Sequence, residues 1–130
     1  MDNKQIIRSA GAPAPIGPYN QAVKANGMLF VSGQIALDLQ TGTLYDGNDI
    51  AVETEKVMES IKAILAEAGT SFSNVLKSTI FLLDMSQFAT VNSVYSKYFE
   101  EETAPARETV AVAGLPRGAR VEISVIALAQ

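Results

Sequence analysis

The spacing of apolar positions along this 130-residue chain switches repeatedly between a period of two and one near 3.6. Gln5 to Arg8 reads as a short first strand. Asn20 to Ala25 and Met28 to Ser32 are rich in strand formers, and Asn26-Gly27 between them suits a two-residue type I′ hairpin turn. From Asp49 to Ala68 the pattern becomes helical. Ile50, Thr54, Val57, Ile61, Leu65 and Ala68 recur at spacings of four and three, while Glu53, Lys56, Glu59, Lys62 and Glu67 fall mainly on the other side. Asp49 is placed to cap the start of this helix, and Gly69 stands where a left-handed residue ends one. Val75 to Leu83 predicts a strand whose Ile80-Phe81-Leu82-Leu83 is too continuously apolar to be exposed. Asp84 or Ser86 opens a second helix ending near Phe99, with Phe88, Val91, Tyr95 and Tyr98 as its inner stripe. Thr109 to Ala113 is a strand, Leu115 to Gly118 a turn, and Arg120 to Leu128 alternates with Val121, Ile123 and Val125 on one face.

The segment Ser9 to Tyr19 interrupts this pattern. Its three prolines and two glycines exclude a helix or a central strand, yet it is too apolar for a loose surface loop, so an ordered, packed loop is expected. Asp38 to Asn48 reads as a turn-rich loop. The resulting order, β-β-β-α-β-α-β-β, describes one domain over residues 1–130 of the α+β class, with both helices on one face of a sheet. A chain this short has no third layer for the other face, so a dimer or trimer through that face is expected.

Composition then narrows the chemistry. Histidine, cysteine and tryptophan are all absent. That excludes a disulfide framework, a thiol nucleophile, a Ser-His-Asp triad and a nitrogen/sulfur zinc site. No carboxylates show the spacing of a calcium loop, and no glycine-rich phosphate loop is present, so neither a metal nor a nucleotide cofactor is expected. Ten basic against fourteen acidic residues give a net charge of −4, with the basic ones scattered, which argues against a nucleic-acid partner. No apolar run approaches the ~20 residues of a membrane span. The N-terminus lacks the pattern of a secretory signal, so a cytoplasmic location is expected.

Carboxylates, hydroxyls, lysines and arginines remain. Arg107, in T-A-P-A-R-E-T, offers a planar fork matched to a carboxylate, or else pairs with the nearby Glu100 to Glu102. Glu122 shares a strand face with Arg120 and Ser124 by period two. On a solvated face it is half of a surface pair; buried between subunits, its pKa would rise and it could shuttle protons. Tyr19 either packs its loop or lines a pocket. Ser32 and Gly33 either end a strand or let a ligand approach the backbone. Asn92 lies in the second helix, holding a loop or idle in solvent. Lys56 and Lys62 fall on the charged side of the first helix and read as solvated.

Several of these segments together resemble the Rid family, the reactive intermediate deaminases also called the YjgF family. The resemblance runs from A-P-A-P-I-G-P-Y-N-Q-A through S-G-Q-I, F-A-T-V-N-S-V-Y and A-P-A-R to V-E-I, nearly the whole chain. It implies a chorismate-mutase-like α+β fold and a homotrimer whose sheets meet in a central barrel, with sites in clefts between subunits. It implies hydrolysis of 2-imino or 2-enamino acids, such as 2-aminoacrylate and 2-iminobutanoate, to 2-keto acids and ammonia, without a cofactor. By this resemblance Arg107 grips the substrate carboxylate and Glu122 orients or activates water. Tyr19, Ser32, Gly33 and Asn92 match pocket positions. One departure concerns the two residues after the arginine. Many relatives have a small residue and then a cysteine there, where this chain has Glu108 and Thr109. Strand parity puts Thr109 on the face of Arg107, bordering the pocket, and turns Glu108 away. A non-catalytic keto-acid-binding or sensing module in the same cleft is the alternative reading.

Overall fold

The computed structural model describes residues 3–130. The eight main elements follow the expected order: β1 (Gln5–Ile7), β2 (Ala22–Ala25), β3 (Met28–Gln34), α1 (Ile50–Glu67), β4 (Val75–Leu82), α2 (Phe88–Ser96), β5 (Ala106–Ala111) and β6 (Val121–Leu128). The local signals act as their chemistry requires. Asn26 and Gly27 take φ of 54° and 74°, the two positive angles of a type I′ turn, and join β2 to β3. The Asp49 carboxylate accepts from the Ala51 and Val52 N–H groups, satisfying donors at the start of α1. Gly69 ends that helix at φ 78°.

One six-stranded sheet runs in the order β1-β2-β3-β6-β4-β5. All neighbours are antiparallel except β4 and β5, which are parallel because α2 carries the chain back between them. Strand parity then sorts the side chains. Leu29 and Val31 of β3, Ile80 and Leu82 of β4, and Ile123, Val125 and Ala127 of β6 are buried on one face. Val57, Met58, Ile61, Ile64 and Leu65 of α1 and Val91 and Tyr95 of α2 close the same core, so both helices lie on one face as expected. Among the described residues nothing covers the opposite face: Ile6, Phe30, Val110 and Leu128 are exposed along it.

Four expectations need correction. Glu53 is not on the solvent side of α1; it is fully buried and paired with Arg120 at 2.8 Å. It lies three residues after Ile50 and four before Val57, so its position is on the buried stripe, and the guanidinium offsets the cost of burying its charge. Arg120 in turn does not share a face with Glu122, because β6 begins at Val121 and the Arg120 side chain turns to α1. The second helix ends at Ser96, short of Phe99, and Asp84 caps a 3₁₀ turn over Met85–Gln87 that precedes it. The fifth strand is Ala106–Ala111, starting three residues before the expected Thr109, which brings Arg107 into the sheet.

Candidate active site

The residues singled out from the sequence fall into two groups on this chain. Tyr19, Ser32, Gly33 and Glu122 line a cleft of about 420 Å³ beside the uncovered sheet face. The loop from Ala12 to Tyr19 forms one wall. It is ordered by Gln21, a buried side chain that sequence reasoning passed over. Its amide donates to the Ser9, Ala12 and Pro13 carbonyls, and its Oε1 accepts from the Ser9 N–H at 2.6 Å. All four groups of one glutamine–backbone network thus hold a proline-rich segment that has few backbone donors of its own. The Tyr19 hydroxyl accepts from the Ile16 N–H at 3.4 Å, leaving its ring 47% exposed over the cleft. Ile35, Leu37 and Pro116 complete an apolar wall.

A β-bulge forms the floor. Val31 pairs with Val125 but Gln34 pairs with Ile123, so Ser32 and Gly33 together oppose Ser124. The Ser32 hydroxyl donates to the Asn20 carbonyl at 2.6 Å and fixes the bulge to the strand entry. Gly33 lies against the Glu122 carboxyl group; a Cβ there would sit 2.7 Å from Glu122 Cδ. Only glycine leaves this carboxyl group its position. Glu122 is half-buried opposite Phe81, and burial pushes its pKa above the usual carboxylate value.

The second group lies at the β5 edge. Arg107 registers with Ser78 and Thr109 with Ile80, both on the helix-bearing face. Glu108 points to the other face, where it meets Lys77 at 3.5 Å, so the acid beside Arg107 in sequence is not beside its guanidinium in space. Arg107 Nη1 donates to Asn92 Oδ1 at 2.6 Å, and its guanidinium carbon lies 5.6 Å and 5.1 Å from the ring centres of Phe88 and Tyr95. No ion pair joins it to Glu100, Glu101 or Glu102 among the described residues. The Thr109 hydroxyl is buried and is the one such side-chain atom without a hydrogen-bond partner among the described residues.

The two groups occupy opposite faces of one sheet, with β4 between their strands. The Arg107 guanidinium sits on one side, and the half-buried Glu122 with its apolar cleft on the other.

Residues 9–129 match a family model described as "Endoribonuclease L-PSP". A RutC family protein of Synechocystis is 52% identical over 124 residues, covering 95% of each chain. The mouse protein named 2-iminobutanoate/2-iminopropanoate deaminase is 43% identical over 125 residues, covering 96% of this chain and 91% of its own. Among solved structures, a Rid family protein of Yersinia pestis superposes with a TM-score of 0.92 at 44% identity, covering 97% and 99% of the two chains. The structure of TdcF from E. coli with bound serine gives 0.88 at 40% identity, with coverage of 97% and 99%. The fold defines an α+β protein with one six-stranded sheet and two helices on one of its faces. Within that class, the chain belongs to the Rid (YjgF) family.

Proposed function

We propose that this protein is a 2-iminobutanoate/2-iminopropanoate deaminase, hydrolysing 2-imino and 2-enamino acids to 2-keto acids and ammonia as a homotrimer. The observation that carries the reading is Arg107: an arginine braced by Asn92 and two aromatic rings, with its neighbouring acid Glu108 turned to the far face. A braced guanidinium free of a protein carboxylate is a receptor for a substrate carboxylate. The mouse and bovine relatives named for this activity are 43% and 45% identical.

Because Arg107 and Glu122 lie on opposite faces of the sheet, one chain cannot bring both to a substrate of this size. A neighbouring copy docked on the uncovered apolar face supplies the missing half, and the same contact buries Phe30 and Leu128. Phe30→Asp should therefore give a monomer by analytical ultracentrifugation and abolish turnover together; an active monomer would refute the shared site.

In the assembled cleft Arg107 takes the carboxylate on two N–H donors, setting C2 toward Glu122. Protonated Glu122 gives its proton to the imine nitrogen. Water adds to C2, and the Glu122 carboxylate removes the proton it releases. The carbinolamine nitrogen takes that proton back, the C–N bond breaks as the carbinol O–H gives its proton to the Glu122 carboxylate, and ammonia leaves with the 2-keto acid, which restores protonated Glu122. Burial raises the Glu122 pKa, which makes its protonated form more accessible than that of an exposed carboxylate. Enamine substrates first tautomerise to the imine. Positioning and proton transfer suffice because such imines are already prone to hydrolysis.

The test is ammonia and keto-acid release from freshly generated 2-aminoacrylate and 2-iminobutanoate. Arg107→Ala should fall to the uncatalysed rate, and Arg107→Lys should fail too because a point charge loses the fork. Glu122→Gln should lower kcat by about 10²- to 10⁴-fold while keto-acid binding survives. Binding without turnover in the wild type would identify a sensing module instead.

A further inference from the structure

The geometry points to Phe88 and Tyr95 as positioning residues that hold the Arg107 guanidinium in its ligand-binding pose, an inference that rests on Arg107 being the carboxylate clamp. Phe88, Asn92 and Tyr95 stand at spacings of four and three, which brings all three to one face of α2. That face meets Arg107. The guanidinium carbon is 5.6 Å from one ring centre and 5.1 Å from the other, within the range where a cation is held by an aromatic face. The amide of Asn92, midway between the rings, takes one Nη1 hydrogen. The remaining donors of the fork stay available to a ligand.

Arg107 needs such bracing. It is exposed and stands on an edge strand, with no carboxylate partner among the described residues. An arginine left free there would sample many rotamers and would lose that freedom on gripping a ligand. The cradle removes much of that freedom before the ligand arrives.

The Tyr95 ring is itself pinned. It is buried, and its hydroxyl donates to Ser78 Oγ at 2.8 Å. Ser78 is fully buried on β4 and is the residue that registers with Arg107 across the β4–β5 pair. Ser78, Tyr95 and Arg107 thus close a triangle: the strand neighbour of the arginine fixes the ring that braces it. The Tyr95 ring also packs on Phe99, with ring centres 4.7 Å apart.

The test replaces Phe88 with phenylalanines carrying one, two or three ring fluorines, which keep the shape and withdraw charge from the ring face. Binding of 2-oxobutanoate to the otherwise native oligomer is measured by calorimetry. Affinity should fall stepwise with fluorination, by about 3- to 10-fold across the series, with unfolding by urea unchanged. Phe88→Leu should lose a similar factor and Phe88→Tyr should retain affinity. Tyr95→Phe, which keeps the ring and frees it from Ser78, should lose less than Tyr95→Leu. Affinity independent of fluorination would overturn the proposal and leave Phe88 a packing residue. A second readout needs no ligand: the Arg107 Nε–H resonance should be displaced by the ring currents and move toward the ordinary arginine position in Phe88→Leu. An undisplaced resonance would overturn the proposal as well. If wild type fails to bind 2-oxobutanoate, the clamp reading of Arg107 falls, while the Nε–H resonance still decides whether the rings brace the side chain.

Discussion

Replacing Arg120 with methionine isolates the buried ion pair that joins α1 to the start of β6. Glu53 has no exposed side-chain surface, and three donors of one residue satisfy it. Arg120 Nε and Nη2 each lie 2.8 Å from Oε1, and the Arg120 backbone N–H donates to Oε2 at 2.9 Å. Arg120 Nη1 reaches on to Asn48 Oδ1 at 2.8 Å. Methionine keeps the apolar stem and the backbone N–H but withdraws the charge, both guanidinium bonds to Glu53 and the one to Asn48. A buried carboxylate stripped of its cation costs about 3–5 kcal/mol. Urea unfolding at neutral pH and fixed protein concentration should show a loss of that size in Arg120→Met. The double variant Glu53→Gln/Arg120→Met removes both charges, and its glutamine oxygen can still accept from the residue 120 N–H. It should recover most of the loss, ending about 1–2 kcal/mol below wild type, because one neutral hydrogen bond replaces the charged set. A single variant within 1 kcal/mol of wild type would refute the reasoning, as would a double variant no more stable than the single. Since Arg120 lies two residues before Glu122, the single variant should also lose activity before it unfolds.

Gly33→Ala should leave stability within about 1 kcal/mol, since the clash is with a side chain that can swing away, yet cut kcat by roughly 10- to 100-fold as the Glu122 carboxyl group is displaced; equal kcat would show that this carboxyl position is irrelevant to turnover. Glu122 has a raised native pKa, so between the unfolded value and the native one the folded state holds more protons and wild-type stability falls as pH rises. Glu122→Gln should lack that decline, matching wild type at low pH and exceeding it once the pH has risen above the native value; parallel stability–pH curves would contradict the burial effect. Thr109→Val removes the orphaned buried hydroxyl, and the ligand-free protein should gain about 1 kcal/mol in urea unfolding. A loss would mean that the hydroxyl has a partner in the assembled protein.

Local pattern carried far into this fold. Period two on the last strand separates Val121, Ile123 and Val125 from Glu122, and the same parity turns Glu108 away from Arg107. The Asn26-Gly27 turn, the Asp49 cap and the Gly69 stop are each dictated by the conformations those residues adopt most easily. Glu53 is a charged residue on the buried stripe of α1, where charge and helical position point in opposite directions. The spacing marked it as inward, but its justification is Arg120, 67 residues away. Gln21 carried no signal of its own, since nothing in N-Q-A announces a side chain that organises a loop eight to twelve residues earlier. Phe88 and Tyr95 read as part of the inner stripe of the second helix and Asn92 as a residue apart from it; only the meeting of that helix with β5 revealed that all three hold Arg107.

Period, turn chemistry and composition by themselves determined the order of elements, the inward face of the regular strands, and the absence of histidine and thiol chemistry. They could do so because backbone geometry is local: a residue's face follows from its neighbours in sequence. The tertiary structure decided which strands pair. Insertion of β6 between β3 and β4 and the parallel docking of β5 on β4 set Arg107 and Glu122 on opposite sides of one sheet. That arrangement depends on long-range burial and pairing, which no local period encodes, and it divides the candidate site into two halves.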